Sequence, residues 1–216
     1  MKKLLFLTFI TTLFLSCTDQ DTTPPVITLN HAETEEYSLG SDFVDPGATA
    51  TDNVDGVVPV TATNNIDKNK VGTYKITYRA EDNAGNIAVA TRPIKYNAKA
   101  LLGSYMMNGT LLTHAEESEN YNQIKLTNLF GRDSDFETFK NVIISIDNNA
   151  FTIEHEYSYA TIENGAPITI SLISGGEILY ENIAGEWRIS SLSFLIREYN
   201  ENTQQEKRHL VTVRFS

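Results

Sequence analysis

The feature that most constrains the fold of this chain is a succession of short β-prone segments, interrupted every few residues by glycine, asparagine or aspartate. Tyr74, Ile76 and Tyr78, for example, alternate with polar residues, which is the pattern of a strand buried on one face. No stretch shows a sustained helical period of about 3.6 residues. The chain is therefore predicted to be all-β, with helix scarce.

The β-prone segments fall into two groups. Turn sequences such as Asp55-Gly56 and Ala84-Gly85-Asn86 separate the members of the first group. These members cover residues 26–29, 47–51, 57–60, 73–79 and 87–96. Short strands with frequent turns predict a small β-sandwich over residues 25–97.

The second group occupies residues 98–216 and contains about eight predicted strands, most of them joined by links short enough for hairpins. They are residues 101–113, 121–130, 141–147, 150–160, 166–174, 177–183, 187–199 and 206–216. An eight-stranded antiparallel meander closes into a β-barrel or folds into a sandwich, and either arrangement removes exposed edges. The sequence leaves both open.

The N-terminus has the three parts of a secretory signal. Two lysines precede an apolar run over residues 4–15, and the small residue Ser16 stands before Cys17. A membrane-spanning helix would need about 20 apolar residues, so this run is too short. Residues 1–16 are predicted to be a signal peptide and the polar residues 17–24 a tether. Cys17 is the only cysteine, which excludes an internal disulfide.

Around the predicted cleavage point, Phe14-Leu15-Ser16-Cys17 resembles the lipobox of bacterial lipoproteins, with Phe14 in place of the usual leucine. The resemblance implies lipidation of Cys17 and a membrane anchor. Asp19 and Asp21 resemble the acidic segment that follows the lipid-bearing cysteine in surface-exported lipoproteins of Bacteroidetes. We therefore expect an outer-membrane, lipid-anchored protein on the cell surface; a solvated acidic linker is the alternative explanation of the two aspartates.

Several motifs of the first group closely resemble the bacterial immunoglobulin-like surface domain related to the hyalin repeat. They are Pro24 to Leu29, Phe43 to Gly56, Val71 to Tyr74, Tyr78 to Asn86, and Arg92. The resemblance implies an immunoglobulin-like sandwich that serves as a spacer or adhesion module and brings no catalytic residues. Together with the second half, the arrangement resembles two-domain lipoproteins of gut Bacteroidetes.

Charge and motif content narrow the function. The chain has 28 acidic and 17 basic residues, a formal net charge of −11, and no basic run, which argues against nucleic acid as a partner. It has no Gly-x-Ser-x-Gly elbow, phosphate loop or His-Glu-x-x-His motif. We therefore expect a non-enzymatic protein without a cofactor.

Candidate ligand-binding residues are aromatic. If residues 150–160 form one strand, His155, Tyr157 and Tyr159 share a face and would form the floor and wall of a pocket. A half-buried histidine bonded to a backbone carbonyl is the alternative. Trp187 and Tyr180 lie on two later predicted strands. An exposed indole would stack on a sugar ring, whereas core packing is the alternative fate of a lone tryptophan.

The resemblance to two-domain lipoproteins of gut Bacteroidetes implies glycan binding by the second domain, with the immunoglobulin-like domain as a spacer. The aromatic residues Tyr157, Tyr159, Tyr180 and Trp187 are the chemical support for this expectation. Two further functions remain open: an adhesion or assembly subunit that binds an envelope protein partner, and a carbohydrate-active hydrolase.

A calcium site is the last candidate. Asp52, Asp55 and Asp82 stand on turns that a sandwich would bring together, and carboxylate oxygens suit calcium. Capping of the turn backbone by the same aspartates is the alternative explanation.

Overall fold

The computed structural model describes residues 20–31, 35–107, 111–129, 139, 141–163 and 166–215. The predicted signal peptide and Cys17 lie outside the described residues. Strands dominate the described chain, and a 3₁₀ turn over Lys99–Leu101 joins its two halves. The all-β prediction is confirmed. None of the described residues forms a helix that is long and apolar enough to cross a membrane.

The first seven strands form a sandwich of two sheets. They are β1 (Val26–Leu29), β2 (Glu35–Ser38), β3 (Ala48–Asp52), β4 (Gly56–Val58), β5 (Val60–Asn64), β6 (Gly72–Glu81) and β7 (Ile87–Asn97). One sheet has the order β1-β3-β4 and the other β2-β7-β6-β5. The β2–β7 pair is parallel and the other pairs are antiparallel.

Strand β6 supplies the inner face of this sandwich as its alternation predicts. Tyr74, Ile76 and Tyr78 are buried, and Ile94 and Tyr96 of β7 complete the same cluster. The sequence reading missed β2, because this strand begins with two glutamates and owes its place to its pairing with β7.

The described residues of the second half form ten strands. They are β8 (Gly103–Met107), β9 (Leu111–Glu117), β10 (Gln123–Thr127), β11 (Asn141–Asp147), β12 (Ala150–Ile153), β13 (Tyr157–Glu163), β14 (Ala166–Ser174), β15 (Ile178–Ile183), β16 (Glu186–Asn200) and β17 (Gln205–Arg214). The first sheet is the meander β12-β11-β10-β9-β8. The second has the order β13-β14-β16-β15, with β17 paired to β16.

The two sheets of this half enclose one large apolar core. Phe151 of the first sheet contacts Phe194 of the second edge to face, with ring centroids 5.0 Å apart. Among the described residues the sheets are linked by an isolated bridge between Ala150 and Glu177 rather than by a ladder. Of the two architectures that the sequence left open, the sandwich is therefore the one observed.

Two predicted strands are each observed as a pair of strands, so the eight predicted strands correspond to ten among the described residues of this half. The predicted strand 101–113 divides into β8 and the start of β9. The predicted strand 150–160 breaks at a bend over residues 154–156, and its two parts, β12 and β13, join different sheets. The prediction that residues 151–159 share one continuous face is therefore wrong.

Candidate functional site

The two halves of the chain are joined by a hydrogen-bonded junction. The Val71 N–H donates to the Tyr180 hydroxyl at 2.9 Å, and that hydroxyl donates to the Asn148 carbonyl at 2.7 Å. The Asn148 N–H in turn donates to the Val71 carbonyl at 2.7 Å. Val71 is fully buried and, together with Leu39, packs into the core of the second half. The turn between β11 and β12 is therefore docked on the start of β6.

Burial at this junction changes the acidity of two tyrosines. Loss of solvent raises the pKa of Tyr180 to about 12, although the hydrogen bond from Val71 opposes this shift. Burial also raises the pKa of Tyr74, whose hydroxyl donates to the Lys70 carbonyl at 3.0 Å and lies 3.2 Å from Asn148 Oδ1. Both hydroxyls are therefore neutral over the physiological range.

A cleft of about 650 Å³ lies beside this junction. The first half of the chain contributes Gly40 and residues 67–70 to its lining, and the second half contributes Asn149, residues 180–182 and Trp187. Its volume is within the usual range of small-ligand sites, about 300–1,000 Å³. The cleft therefore belongs to both halves, and neither half forms it alone.

Trp187 and Tyr180 form the aromatic wall of the cleft. They lie on adjacent strands, β16 and β15, with ring centroids 6.1 Å apart and planes at 65°. Both side chains are partly buried and pack against the core of the second half. Gly40 lies against the indole: a Cβ atom there would be 3.1 Å from Trp187 Nε1. A glycine at this position thus permits the close approach of the first half to Trp187.

The rim of the cleft is polar and nearly neutral. Its charged side chains are Asp67, Lys68, Lys70 and Glu181, two acidic and two basic. Lys68 is paired with Asp42 at 2.5 Å, which raises the pKa of the lysine and lowers that of the aspartate. Lys70 lies 3.8 Å from Asp67. In a chain with a net charge of −11, this local balance favours an uncharged polar ligand over a charged one.

Comparison with known proteins identifies the first half. Residues 27–95 match the family model of the bacterial surface protein, Ig-like domain. The resemblance drawn from the sequence motifs is thereby confirmed for this part of the chain, and strands β1–β7 are the Ig-like domain.

Similar solved structures share little sequence with the chain. A lipoprotein of Bacteroides thetaiotaomicron is 14% identical, with 88% of this chain and 99% of that one covered and a TM-score of 0.33. The second CBM51 domain with INT domains of Clostridium perfringens ZmpB, in complex with GlcNAc, is 19% identical, with coverages of 89% and 44% and a TM-score of 0.29. A structure of the M60 catalytic domain with both CBM51 domains of ZmpB is 20% identical, with coverages of 89% and 21% and a TM-score of 0.27.

No curated protein sequence matches the chain at a significant level.

A second cleft of about 440 Å³ lies next to the first, with Trp187 in the wall of both. Arg188 closes one side of it: the guanidinium lies 5.2 Å from the Tyr105 ring centroid and donates to the Ser104 carbonyl at 3.0 Å. Leu39 of the Ig-like domain also lines this cleft. Trp187 therefore stands where the two clefts meet.

The predicted aromatic site residues are not brought together. Tyr180 and Trp187 line the cleft at the junction, whereas His155 and Tyr157 form a separate pair with ring centroids 4.2 Å apart. Tyr157 is 6% exposed and accepts a hydrogen bond from the Ile143 N–H at 2.9 Å, so it is a core residue, while His155 is exposed. The backbone of Tyr159 lies in β13, and its side chain lies outside the described residues.

Of the three aspartates of the predicted calcium site, Asp55 lies apart from the other two. Both carboxylate oxygens of Asp55 accept hydrogen bonds from Asn83, at 2.7 and 2.8 Å. Asp52 and Asp82 do approach one another, and the third carboxylate beside them belongs to Asp21. The sequence reading assigned Asp21 to the tether, and its contact with the sandwich depends on chain folding over more than 30 residues.

The contribution of the Ig-like domain to the cleft was not predicted from the sequence. Gly40 and residues 67–70 lie on loops whose polar composition is that of ordinary turns. The one local signal is Gly40 itself, whose φ of +80° places it in the left-handed region that favours glycine.

Proposed function

We propose that this chain is a lipid-anchored protein of the bacterial cell surface that binds an uncharged glycan in the cleft between its two halves. The observation that carries the proposal is the pairing of Trp187 and Tyr180 in the wall of a 650 Å³ cleft with a polar rim.

The aromatic wall suits the apolar face of a sugar ring. A pyranose has faces of C–H groups and an edge of hydroxyls, so it packs against an indole while its edge is hydrogen bonded by polar side chains. Trp187 offers such a surface, and Asn69, Asn149 and Asn182 offer amide groups beside it. Amides both donate and accept, as sugar hydroxyls do.

The Ig-like domain takes part in this proposed site. The sequence predicts that it is a spacer, whereas residues 67–70 of this domain line the same cleft as Trp187. Binding in the cleft would therefore depend on the junction formed by Val71, Asn148 and Tyr180.

A glycan array probed with soluble residues 18–216 tests the proposal. Trp187→Ala should weaken binding by at least about 30-fold, the loss expected for a buried aromatic anchor worth about 2 kcal/mol. Trp187→Phe keeps part of the packing and should bind with intermediate affinity. His155→Ala alters the other predicted aromatic pair and should leave binding unchanged.

The role of the Ig-like domain has its own matched pair of variants. Asn69→Ala removes a cleft amide and should weaken glycan binding several-fold, whereas Asn65→Ala changes an exposed asparagine of the same domain outside the cleft. An array without signal, or binding that survives in a folded Trp187→Ala variant, would rule out a sugar site at Trp187.

Membrane attachment is tested separately. Cys17→Ala removes the predicted lipid acceptor and should release the protein from the membrane fraction, because acyl chains supply about 0.8 kcal/mol per buried methylene. Protection of the wild-type protein from externally added protease would argue against surface exposure. Retention of the Cys17→Ala protein in the membrane fraction would argue against the anchor.

A further inference from the structure

Three aspartates from distant parts of the chain meet at one end of the Ig-like domain. Asp52 ends β3, Asp82 follows β6, and Asp21 precedes β1. One carboxylate oxygen from each lies within 4.8 Å of the other two. Asp52 is 9% exposed and Asp82 is 7% exposed.

Two oxygens of this cluster are buried without a hydrogen-bond donor among the described residues: Asp52 Oδ2 and Asp21 Oδ2. The other oxygen of Asp52 accepts from the Val54 and Asp55 N–H groups, at 2.8 and 2.9 Å. Asp21 Oδ1 accepts from the Thr23 N–H at 3.0 Å. Each of these residues therefore uses one oxygen to hold its own backbone and leaves the other free for a ligand.

The charge of the cluster is not balanced by protein groups. Within the described residues, neither Asp21, Asp52 nor Asp82 forms an ion pair. Buried charges of one sign require a counter-charge or a metal.

We propose that Asp21, Asp52 and Asp82 bind a calcium ion that clamps the N-terminal segment to the Ig-like domain. Calcium–oxygen distances are about 2.3–2.6 Å, so two oxygens on one ion lie at most about 5 Å apart, which the observed spacing meets. Calcium completes six to eight ligands with backbone carbonyls and water. Magnesium is bound through fewer carboxylates and keeps more of its own water.

Asn86 already ties two of these three parts together, the Asp82 turn and the N-terminal segment. Its side-chain amide donates to Asp82 Oδ2 at 2.8 Å and to the Asp21 carbonyl at 3.2 Å. Its N–H donates to Asp82 Oδ1 at 2.7 Å. The N-terminal segment is thus positioned beside the cluster by neutral groups, and the ion would add the charged contact.

A calcium ion at this site would affect the predicted tether, residues 17–24. Asp21 lies four residues after Cys17, and four residues span at most about 14 Å. A calcium ion on Asp21 would hold the chain against the domain from that residue onward. The ion would thereby fix the second half of the predicted tether, residues 21–24.

Calcium titration of chelator-treated residues 18–216 by calorimetry is the first experiment. We expect one saturable site with a Kd of about 10⁻⁴ to 10⁻³ M, the range of extracellular calcium modules. Calcium at ten times its Kd should raise the Tm of the Ig-like domain by roughly 5–10 °C over the value in EDTA. Hydrogen exchange of the amides of residues 20–23 should slow in the same comparison.

Two asparagine variants test the proposed ligands, and a third is the control. Asp52→Asn and Asp21→Asn keep the oxygen that accepts from the backbone and replace the free one, so each should weaken calcium binding by at least about 10- to 100-fold. Asp55→Asn removes an equal charge from the same turns but lies outside the cluster, and its affinity should match that of the parent.

The sign of the stability change separates a lost ligand from a damaged fold. In EDTA, Asp52→Asn should be at least as stable as the parent, because it relieves repulsion among the carboxylates. In the presence of calcium, Asp52→Asn should be less stable than the parent protein. Three results would each overturn the proposal. They are a calcium titration without heat together with an unchanged Tm, magnesium binding as tight as calcium binding, and a loss of calcium affinity in Asp55→Asn alone.

Discussion

The hydroxyl of Tyr180 accepts a hydrogen bond, 2.9 Å long, from the backbone N–H of Val71. The two residues are 109 positions apart and belong to different halves of the chain. Because Val71 is fully buried, its N–H has no access to water as an alternative partner.

Tyr180→Phe should therefore cost about 1–3 kcal/mol of unfolding free energy, the penalty for leaving a buried backbone group unpaired. Chemical denaturation measures this value. Tyr199→Phe is the matched control, since the Tyr199 hydroxyl makes no hydrogen bond with the described residues and its loss should be nearly neutral. Equal effects of the two substitutions would show that the hydroxyl bridge contributes nothing.

Alkaline pH should weaken the same junction. The pKa of Tyr180 is raised to about 12 from an ordinary value of 10.0, so the folded chain holds its proton where the unfolded chain has released it. The stabilisation is complete below about pH 10 and is lost as the pH rises toward 12. Urea unfolding at pH 9, 10 and 11 should show this decline, and Tyr180→Phe should reduce its slope. A slope unchanged by the substitution would assign the decline to other groups.

Gly40→Ala should disturb Trp187. A side chain at φ +80° costs about 1–2 kcal/mol, and the new Cβ would lie 3.1 Å from Trp187 Nε1. Gly56→Ala carries a similar strain at φ +71° with no atom within 4 Å of its Cβ, so the pair of variants separates strain from contact. We expect Gly40→Ala to be the more destabilising and to shift the emission of Trp187, the only tryptophan. Identical behaviour of the two alanine variants would exclude a role for the contact.

Leu39→Ala should destabilise the second half of the molecule although Leu39 belongs to the Ig-like domain. Leu39 is 5% exposed and packs into the core of the second half. Truncation of a buried leucine to alanine lowers the free energy of unfolding by about 2–5 kcal/mol. The unfolding midpoint reported by Trp187 should fall.

Val58→Ala is the control for this substitution, because Val58 is equally buried but lies in the small cluster of the Ig-like domain. It should move the Trp187 midpoint less than Leu39→Ala does. A larger shift from Val58→Ala would mean that the apolar contact across the junction does not couple the two halves.

The sequence predicted the strands well where alternation alone determines them. Residues 141–147 and 166–174 form β11 and β14 with the predicted bounds, because their apolar residues recur at every second position and face the core. The structure of residues 150–160 differs from the predicted single strand for a related reason. The alternation continues across the bend at 154–156, so nothing in the apolar pattern marks the point where the chain changes sheets.

The site depends on contacts that local patterns do not encode. Tyr180 and Trp187 were recognised as candidates by residue type, but their place beside residues 67–70 arises from docking of the two halves. Asp52 and Asp82 were chosen from their turns, whereas Asp21 was out of reach because it joins them across more than 30 residues. Asp55 stands on a similar turn, but its carboxylate accepts a hydrogen bond from Asn83 and lies outside the cluster.

The pairing of β17 with β16 has a consequence for how the molecule is made. β16 is hydrogen bonded to β14 and β15 along one edge and to ten residues of β17 along the other. β17 also supplies Val213 to the buried core. A nascent chain therefore lacks a partner along one edge of β16 until residues 205–214 have been synthesised, whereas the strands described in the Ig-like domain are complete by Asn97. The first half can fold before β17 is made, and the cleft between the two halves is completed only after β17 has paired with β16.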